Sequence, residues 1–315
     1  MERAYSFFLS VVVLQLYFLD TCISKNISTD QSALLAVKAS FTLNSSHPLT
    51  QNWSSQASIC HWIGVTCASR HRRVRALNIS NMDIVGTIPP HLGNLSFLVS
   101  LDVSRNHLYG EIPKDIGNLR NLKELILVSN QLTGSIPFSI FNISSLETLS
   151  LAYNQLSGSL PVDICHRLRR IKSILIISNQ LSGHIPIGLS NCTDLYDLSL
   201  SYNHFDGTIP PEIVNLERLE RLNLGGNHLQ GSLSSSPNHW RANLQLLNLG
   251  ANNIRGVIPS SISNSSNLKT LYLYDNKLSG KIPNSLGDLR QLEYLALSRN
   301  NLIGNSQAKC FCLII

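Results

Sequence analysis

The sequence is poor in charge, because Asp, Glu, Lys and Arg together make up 14% of its 315 residues while hydrophobic residues make up 43%. This much apolar material can fill a sizeable core, so disorder is not the default expectation. The formal net charge is +6. The sequence contains no recognised nucleic-acid-binding module, and we expect no nucleic-acid partner.

The residue groupings that catalysis needs are also missing. The ten His are scattered along the chain, and carboxylates such as Asp197 and Glu220 have no spacing that suggests an acid–base pair. Cys165 adjoins His166, but both lie on a segment predicted to be convex, which disfavours a nucleophile there. We therefore expect no enzyme activity, no cofactor and no metal site.

Long hydrophobic runs are absent after the first two dozen residues, so no later segment could span a bilayer. Residues 1–24 differ, because an apolar run from Phe7 to Leu19 precedes Cys22 and Ser24, which are small residues suited to a cleavage site. This pattern predicts a secretory signal peptide and a secreted mature chain without a membrane span. The alternative is an N-terminal membrane anchor, for which the run is short.

Glycosylation sequons agree with secretion. A single Asn-x-Ser/Thr motif arises easily by chance, whereas eight behind a signal peptide favour a glycosylated exterior. Asn78 falls on a predicted strand, where a glycan would crowd the concave face, so not every sequon is expected to be used. The eight acceptors are Asn26, Asn44, Asn52, Asn78, Asn94, Asn142, Asn191 and Asn264.

A unit of 24 or 25 residues, L-x-x-L-x-L-x-x-N-x-L-x-G-x-I-P, recurs ten times between residues 74 and 304. A period of this length with this pattern predicts a right-handed leucine-rich-repeat solenoid of the α/β class. Each L-x-L forms a strand of a parallel sheet on the concave face, and segments such as Ile116–Leu119 form helical or 3₁₀ turns on the convex side. The Gly of each unit is Gly86, Gly110, Gly134, Gly158, Gly183, Gly207, Gly231, Gly256, Gly280 or Gly304.

An asparagine follows each predicted strand from the second repeat onward. Its buried amide can satisfy backbone groups of its own turn and of the adjacent turn, where a leucine would leave them unpaired. We expect these asparagines to form a ladder along the solenoid. They are Asn106, Asn130, Asn154, Asn179, Asn203, Asn227, Asn252, Asn276 and Asn300.

Three repeats depart from the pattern. The first has Met82 in place of the ladder asparagine, as a boundary turn can. The seventh replaces Ile-Pro with Leu233-Ser-Ser-Ser236, so a convex bulge is expected there. The tenth ends at Gly304, and residues 305–315 form an irregular tail that fits neither a repeat nor a cap.

Residues 25–73 have the features of an N-terminal cap, which a solenoid needs to cover its apolar end. Ser32–Phe41 has the pattern of an amphipathic helix, with Asp30 as its N-cap. In a secreted chain Cys60 and Cys67 predict a disulfide. A zinc site using a nearby histidine is the disfavoured alternative, because neither spacing nor compartment suits it.

The other notable residues near or beyond the cap have plain interpretations. Arg70–Arg75 is strongly basic, and we expect it to be the solvated edge of the cap; the alternative is a docking patch for an acidic polysaccharide or a partner. Cys192 is expected to be a small buried residue on a convex segment. The pairing of Cys165, Cys192, Cys310 and Cys312 is left open.

The cap and the repeats together resemble a known family. Thr29–Lys38, Cys60–Cys67 and the L-x-G-x-I-P repeats resemble the ectodomain of plant leucine-rich-repeat receptor kinases of the immune-receptor group, over residues 29–304. Stretches similar to that group are His91–Leu98, Ser139–Leu146 and Leu189–Leu195.

The resemblance implies an extracellular ligand-binding ectodomain in plant defence or receptor signalling. It would lie in the apoplast, or at the plasma-membrane surface as part of a longer receptor. It would bind a peptide or protein ligand, and a co-receptor kinase ectodomain is a further candidate partner. The sequence contains no Gly-rich loop with its Lys, no His-Arg-Asp and no Asp-Phe-Gly, so we expect a chain truncated before the membrane helix and kinase.

Two other functions stay open. Secreted polygalacturonase inhibitors, which bind a microbial cell-wall enzyme, are similar in size and capped repeats, although they usually close with a Cys-rich C-terminal cap that this sequence lacks. A non-functional gene fragment is the other alternative.

Ligand binding is expected on the concave face, where side chains flanking the inward leucines are not needed for the fold. Tyr and Arg make good anchors, and Tyr272, Tyr274 and Tyr294 should lie side by side on two adjacent turns. The alternative is that tyrosine simply tolerates strands. The candidate contact residues are Tyr153, Asp197, Tyr202, Arg221, Tyr272, Tyr274, Asp275 and Tyr294.

Overall fold

The computed structural model describes residues 27–233, 240 and 242–303. The predicted signal peptide, the Asn26 sequon, Gly304 and the tail with Cys310 and Cys312 lie outside these residues. The bulge predicted in the seventh repeat also lies mostly outside them; Leu233 and Trp240 at its edges are buried.

The N-terminal cap contains the predicted helix and disulfide. Helix α1 buries Ala33, Leu34 and Val37, and the Cys60 and Cys67 Cα atoms are 5.4 Å apart in the confirmed disulfide. The cap elements are α1 (Ile27–Ala39), β1 (Phe41–Thr42), α2 (Pro48–Asn52), a 3₁₀ turn (Ile59–His61) and β2 (Val65–Cys67).

Asp30 is not the N-cap of α1, because the helix begins at Ile27 and Asp30 lies within its first turn. Its carboxylate is fully buried and binds the Arg73 guanidinium through two contacts of 2.8 Å, while the Val74 N–H donates to it at 3.0 Å. Arg73 also lies over the Phe97 ring, 4.5 Å from its centroid. Arg73 of the basic stretch is therefore buried, not solvated as expected, and it joins the cap to the first repeats.

A parallel sheet forms the concave face, as predicted. Its strands pair in register, so that each central apolar residue opposes its equivalent in the next turn, as Leu198 opposes Leu222. Among the described strands of this sheet only β2 runs antiparallel, against the strand Val74–Asn78. After β2 the strands are β3 (Val74–Asn78), β5 (Ser100–Asp102), β7 (Glu124–Ile126), β9 (Thr148–Ser150), β11 (Ser173–Leu175), β13 (Asp197–Ser199), β15 (Arg221–Asn223), β16 (Leu246–Asn248), β18 (Thr270–Tyr272) and β20 (Tyr294–Ala296).

A second row of strands follows the ladder asparagines and was not predicted from the repeat pattern. The alternation of exposed residues with buried Leu108 and Ile112 around Gly110 was the signal that could have revealed it. Its strands after β1 are β4 (Val85–Gly86), β6 (His107–Glu111), β8 (Gln131–Ser135), β10 (Gln155–Gly158), β12 (Gln180–His184) and β14 (His204–Asp206), with β17 (Arg255–Gly256), β19 (Lys277–Lys281) and β21 (Asn301–Ile303) in a separate three-stranded sheet.

The convex side carries 3₁₀ turns, as predicted, and most begin directly after the Pro of Ile-Pro. Each turn buries an apolar residue, such as Ile116 or Leu189, against the leucines of the concave strands. The turns are Pro90–Asn94, Lys114–Asn118, Phe138–Asn142, Ile187–Asn191, Ile213–Asn215, Ser260–Asn264 and Asn284–Asp288.

The asparagine ladder is confirmed at all nine predicted positions. Asn203 is typical: its Nδ2 donates to Ile176 O in the previous turn at 2.7 Å and to Leu200 O in its own turn at 3.1 Å. Its Oδ1 accepts from the Leu181 N–H at 3.1 Å. The first repeat lacks a ladder asparagine, and there the cap residue His47 places its Nε2 2.9 Å from the Met82 carbonyl.

Cys192 is buried, as expected, but it is not a free small residue. It forms a disulfide with Cys165, whose Cα atom is 5.3 Å away, and so joins the convex segments of the fourth and fifth repeats. The sequence could not assign this pair, because the two cysteines are 27 positions apart and lie in different repeats.

Charged side chains just before the concave strands also join consecutive repeats. The Glu147 carboxylate lies between Lys123 and Lys172, with N–O distances of 2.8 and 2.7 Å. Hydrogen bonds from both ammonium groups lower the pKa of Glu147 from 4.5 to about 2. The stabilisation is therefore fully present above pH 4.5 and is lost as pH falls toward 2.

We predict that Asn203→Ala lowers the free energy of unfolding by about 3 kcal/mol, because it leaves the Leu181 N–H and the Ile176 carbonyl buried without partners. Urea denaturation followed by circular dichroism measures this. Asn300→Ala is the matched control, since Asn300 is partly exposed and water can replace its amide. Equal losses for the two variants would contradict the role of burial.

We predict that Glu147→Gln lowers stability at pH 7 by about 1 kcal/mol, and that the difference from the wild type shrinks as pH falls from 4.5 toward 2. Chemical denaturation at several pH values checks this. The double variant Lys123→Met, Lys172→Met should show the same pH trend. A difference that stays constant with pH would argue against the ion pairs.

Candidate ligand-binding face

The concave face presents four columns of side chains, two within the strands and two in the residues that follow. In the first column Asp197 and Arg221 oppose each other on β13 and β15, with an N–O distance of 3.5 Å. Burial raises the pKa of Asp197, and the Arg221 charge opposes the shift. The predicted contact residues Asp197 and Arg221 thus form one ion pair at the middle of the array.

Small residues interrupt the third and fourth columns in the seventh and eighth repeats. Gly225 and Gly226 stand in one turn, and Gly250 and Ala251 stand in the next. The Tyr202 ring lies on Gly226, where an added Cβ would be 2.7 Å from the Tyr202 Cδ1 atom. In these two turns the concave surface therefore carries little side chain above the backbone. We call this area, formed by Gly225, Gly226, Gly250 and Ala251, the glycine floor.

Tyr274 approaches the same floor from the ninth repeat. Its ring lies so close to Gly250 that an added Cβ there would overlap it. Burial, and after it the phenol of Tyr202, raise the pKa of Tyr274. Tyr202 and Tyr274, which are 72 positions apart in the sequence, therefore lie over the glycines of the two intervening turns, Gly226 and Gly250.

Tyr272 packs edge-on against Tyr274, with ring centroids 6.3 Å apart. We call Tyr202, Tyr272 and Tyr274 the tyrosine patch. Tyr294 was predicted to join this group, and it lies on the adjacent strand as expected. It opposes Thr270, however, and its ring has no ring contact within the described part of the chain.

The remaining candidates lie apart from the patch or at its rim. Tyr153 is 55% exposed in the fourth repeat, two turns before Tyr202. Asp275 is exposed directly after Tyr274. Asn248 was missed; its Oδ1 accepts from the Gly250 N–H at 3.0 Å and it lies beside the floor. The adjacent small residues of Asn-Leu-Gly-Gly-Asn and Asn-Leu-Gly-Ala-Asn were the available signal.

A left-handed backbone conformation recurs just before each ladder asparagine. Tyr153 and Tyr202 have φ of 58° and 54°, and the same column includes Asp275 and Arg299, both at 53°. This conformation, at the end of each strand, sets the direction of the side chains in this column, which includes Tyr202.

The sequon asparagines divide by location. Asn94, Asn142, Asn191 and Asn264 each end a 3₁₀ turn on the convex side. Asn78 ends β3, as expected, and its Oδ1 accepts from Ser80. Asn52 and Asn44 also accept hydrogen bonds through their Oδ1 atoms, from Ile63 N and Ser46 Oγ.

Within residues 27–233, 240 and 242–303 there is no group of three His, Cys, Asp or Glu side chains arranged to hold a metal ion. In the same part of the chain, no helix has the length and apolar character needed to cross a membrane.

Comparison with known families matches both the cap and the repeats. The leucine-rich-repeat N-terminal domain family matches residues 27–68. Leucine-rich-repeat families match residues 242–302 and, separately, 97–119, 121–143, 145–166, 194–216 and 218–240.

Two relatives illustrate the range of similar proteins. The LRR receptor-like serine/threonine-protein kinase EFR of Arabidopsis thaliana is 41% identical over 70 residues, which is 22% of this chain and 7% of that protein. Polygalacturonase inhibitor 1 of Arabidopsis thaliana is 38% identical over 88 residues, 27% of this chain and 26% of the inhibitor. The matched stretches thus span a small part of either relative.

Solved structures match over more of the chain. The PEPR1–AtPEP1 crystal structure superposes with a TM-score of 0.76 at 31% identity, covering 87% of this chain and 42% of that one. The plant peptide hormone receptor RGFR1 in complex with RGF2 gives a TM-score of 0.60 at 34% identity, covering 69% and 38%. The chain spans less than half the length of these two structures. With this cap, these repeats and these likenesses, the chain belongs to the leucine-rich-repeat family, as a plant ectodomain similar to those of receptor-like kinases.

Proposed function

We propose that the chain binds an extended peptide or a protein segment on its concave face, outside the cell. The observation that carries this proposal is the tyrosine patch on its glycine floor, set in an open sheet. RGFR1, which has the same fold, is described as a peptide hormone receptor in complex with RGF2, and this supports a ligand of the same class here.

The patch suits a peptide for physical reasons. Central strands of a parallel sheet have their backbone groups paired, so a ligand on the concave face contacts side chains. From the sixth to the ninth repeat the sheet extends about 14 Å at the usual strand spacing. Four or five residues of an extended peptide cover that length. Tyrosine offers such a segment a large apolar contact and a polar hydroxyl.

Charge at the rim would fix the register of the ligand. The Asp197–Arg221 pair lies beside the patch on one side, and Asp275 and Arg299 lie on the other. Charges of both signs favour a ligand that itself carries both, and electrostatic matching adds specificity more than affinity.

The biological role that we propose is ligand sensing in plant defence or receptor signalling, with no kinase activity in this chain. The likeness to the receptor-like kinase EFR and to the peptide hormone receptor RGFR1 supports it. A co-receptor kinase ectodomain is the second partner that we propose, and it would contact the ligand once the ligand is bound.

A polygalacturonase-inhibitor-like role is the second candidate. The likeness to polygalacturonase inhibitor 1 favours it. That match covers about a quarter of the inhibitor, whereas the separate match to EFR covers only 7% of EFR. In this role a microbial cell-wall enzyme would occupy the concave face.

We predict that the double variant Tyr202→Ala, Tyr274→Ala loses ligand binding by about 30-fold or more, as expected when anchor side chains are removed. The purified chain is used to capture ligands from plant extracellular fluid, and the affinity of the captured ligand is measured by calorimetry. Tyr109→Ala is the control, since Tyr109 is exposed to a similar extent as Tyr202 but lies on the second row of strands.

The captured molecule separates the two candidates. A peptide or a receptor kinase supports the sensing role, and a polygalacturonase supports the inhibitor role. Undiminished binding of either ligand by the double variant would show that the tyrosine patch is not the contact site.

A further inference from the structure

An open hollow of about 410 Å³ lies on the convex flank, away from the tyrosine patch, at the fourth to sixth repeats. Apolar atoms line most of it, chiefly those of Val162 and Ile187, which are 72% and 54% exposed. Asp163, His166 and Glu212 also line it. Exposed apolar side chains on consecutive turns of a repeat array call for an explanation.

Local sequence features shape this hollow. Gly188 stands where the neighbouring repeats have Asp163 and Glu212, and an added Cβ at Gly188 would overlap the Val162 carbonyl. The fifth turn therefore packs directly on the backbone of the fourth. The Cys165–Cys192 disulfide then holds these two turns together.

Asn191 lines the same hollow and is the acceptor of the sequon Asn191-Cys192-Thr193. It is exposed at the end of the turn Ile187–Asn191, and Thr193 is exposed beside it. Unlike Asn52 and Asn78, the Asn191 side chain makes no hydrogen bond among the described residues. Its amide is therefore available for a glycan that would begin inside the hollow.

We propose that an N-linked glycan on Asn191 seats its first N-acetylglucosamine in this hollow. The apolar face of the sugar lies against Val162 and Ile187. Its hydroxyl and acetamide groups bond to the carboxylates of Asp163 and Glu212 and to the His166 ring, which are donors and acceptors of the kind that such groups need. The proposal rests on the extracellular location proposed above.

The glycan would act as a fixed cover for apolar surface. A sugar attached at the rim is at high effective concentration over the hollow, so weak contacts suffice to hold it there. Phe138 extends the apolar stripe by one repeat and is 56% exposed. Covering Val162 and Ile187 would break that stripe and reduce self-association through it.

Asn264 supplies the matched control. It also ends a convex 3₁₀ turn and carries a sequon, but that turn begins with the polar Ser260 where the Asn191 turn begins with Ile187. A glycan on Asn264 has no equivalent apolar seat at that position.

The experiment uses the full chain secreted from a glycosylating plant or insect host. Peptide mass spectrometry measures occupancy at each sequon, and hydrogen exchange measures protection of the turn Ile187–Asn191. We expect Asn191 to be occupied, and Asn191→Gln to speed exchange in that turn by at least about threefold while Asn264→Gln leaves it unchanged. Enzymatic trimming to a single N-acetylglucosamine should keep the protection.

A second variant tests the seat without removing the glycan. Ile187→Ser should lose the protection that depends on the sugar while Asn191 stays occupied. The proposal fails if Asn191 is unmodified while other sequons are occupied, or if Asn191→Gln exchanges like the wild type. Either result would leave ligand capture by the concave face unaffected, whereas failure of the chain to be secreted would undermine the proposed function itself.

Discussion

The amide of each ladder asparagine joins two consecutive turns, and the rest of the architecture depends on this contact. One NH₂ group donates to carbonyls in both turns while the oxygen accepts an N–H from the previous turn, as Asn203 does with Ile176, Leu200 and Leu181. The leucines provide most of the buried area, but apolar contacts do not fix an angle or a register. The buried amides do, because a displaced turn would leave several polar groups unpaired.

Because these internal contacts determine the fold, the concave surface can vary. The tyrosine patch forms where two successive turns carry small residues, so that Tyr202 and Tyr274 can lie over Gly226 and Gly250. The glycines beneath the patch therefore shape this surface as much as the tyrosines above them do. The convex flank follows the same logic, since Gly188 shapes the hollow beside Asn191.

The sequence predicted most of the features that repeat, although it missed the second row of strands, and it missed most of the contacts that occur once. The period determined the concave sheet, the convex turns and the asparagine ladder, because each position recurs in nearly every turn. The bond of Asp30 to Arg73, the Cys165–Cys192 disulfide and the contact of Tyr202 with Tyr274 each join positions far apart in the chain. Their proximity depends on the size of neighbouring side chains and on the path of the turns, which periodicity alone does not specify.

The left-handed column before the ladder asparagines limits how such a surface can diversify. Its members are Asn81, Arg105, Ser129, Tyr153, Ser178, Tyr202, Gly226, Ala251, Asp275 and Arg299. None is β-branched, and for Val, Ile or Thr this backbone conformation is a genuine outlier. Descendants of this chain could exchange aromatic, charged and small residues in this column at similar cost. The aliphatic branched side chains, which fill so much of the interior, would be excluded from one of the four rows that face a ligand.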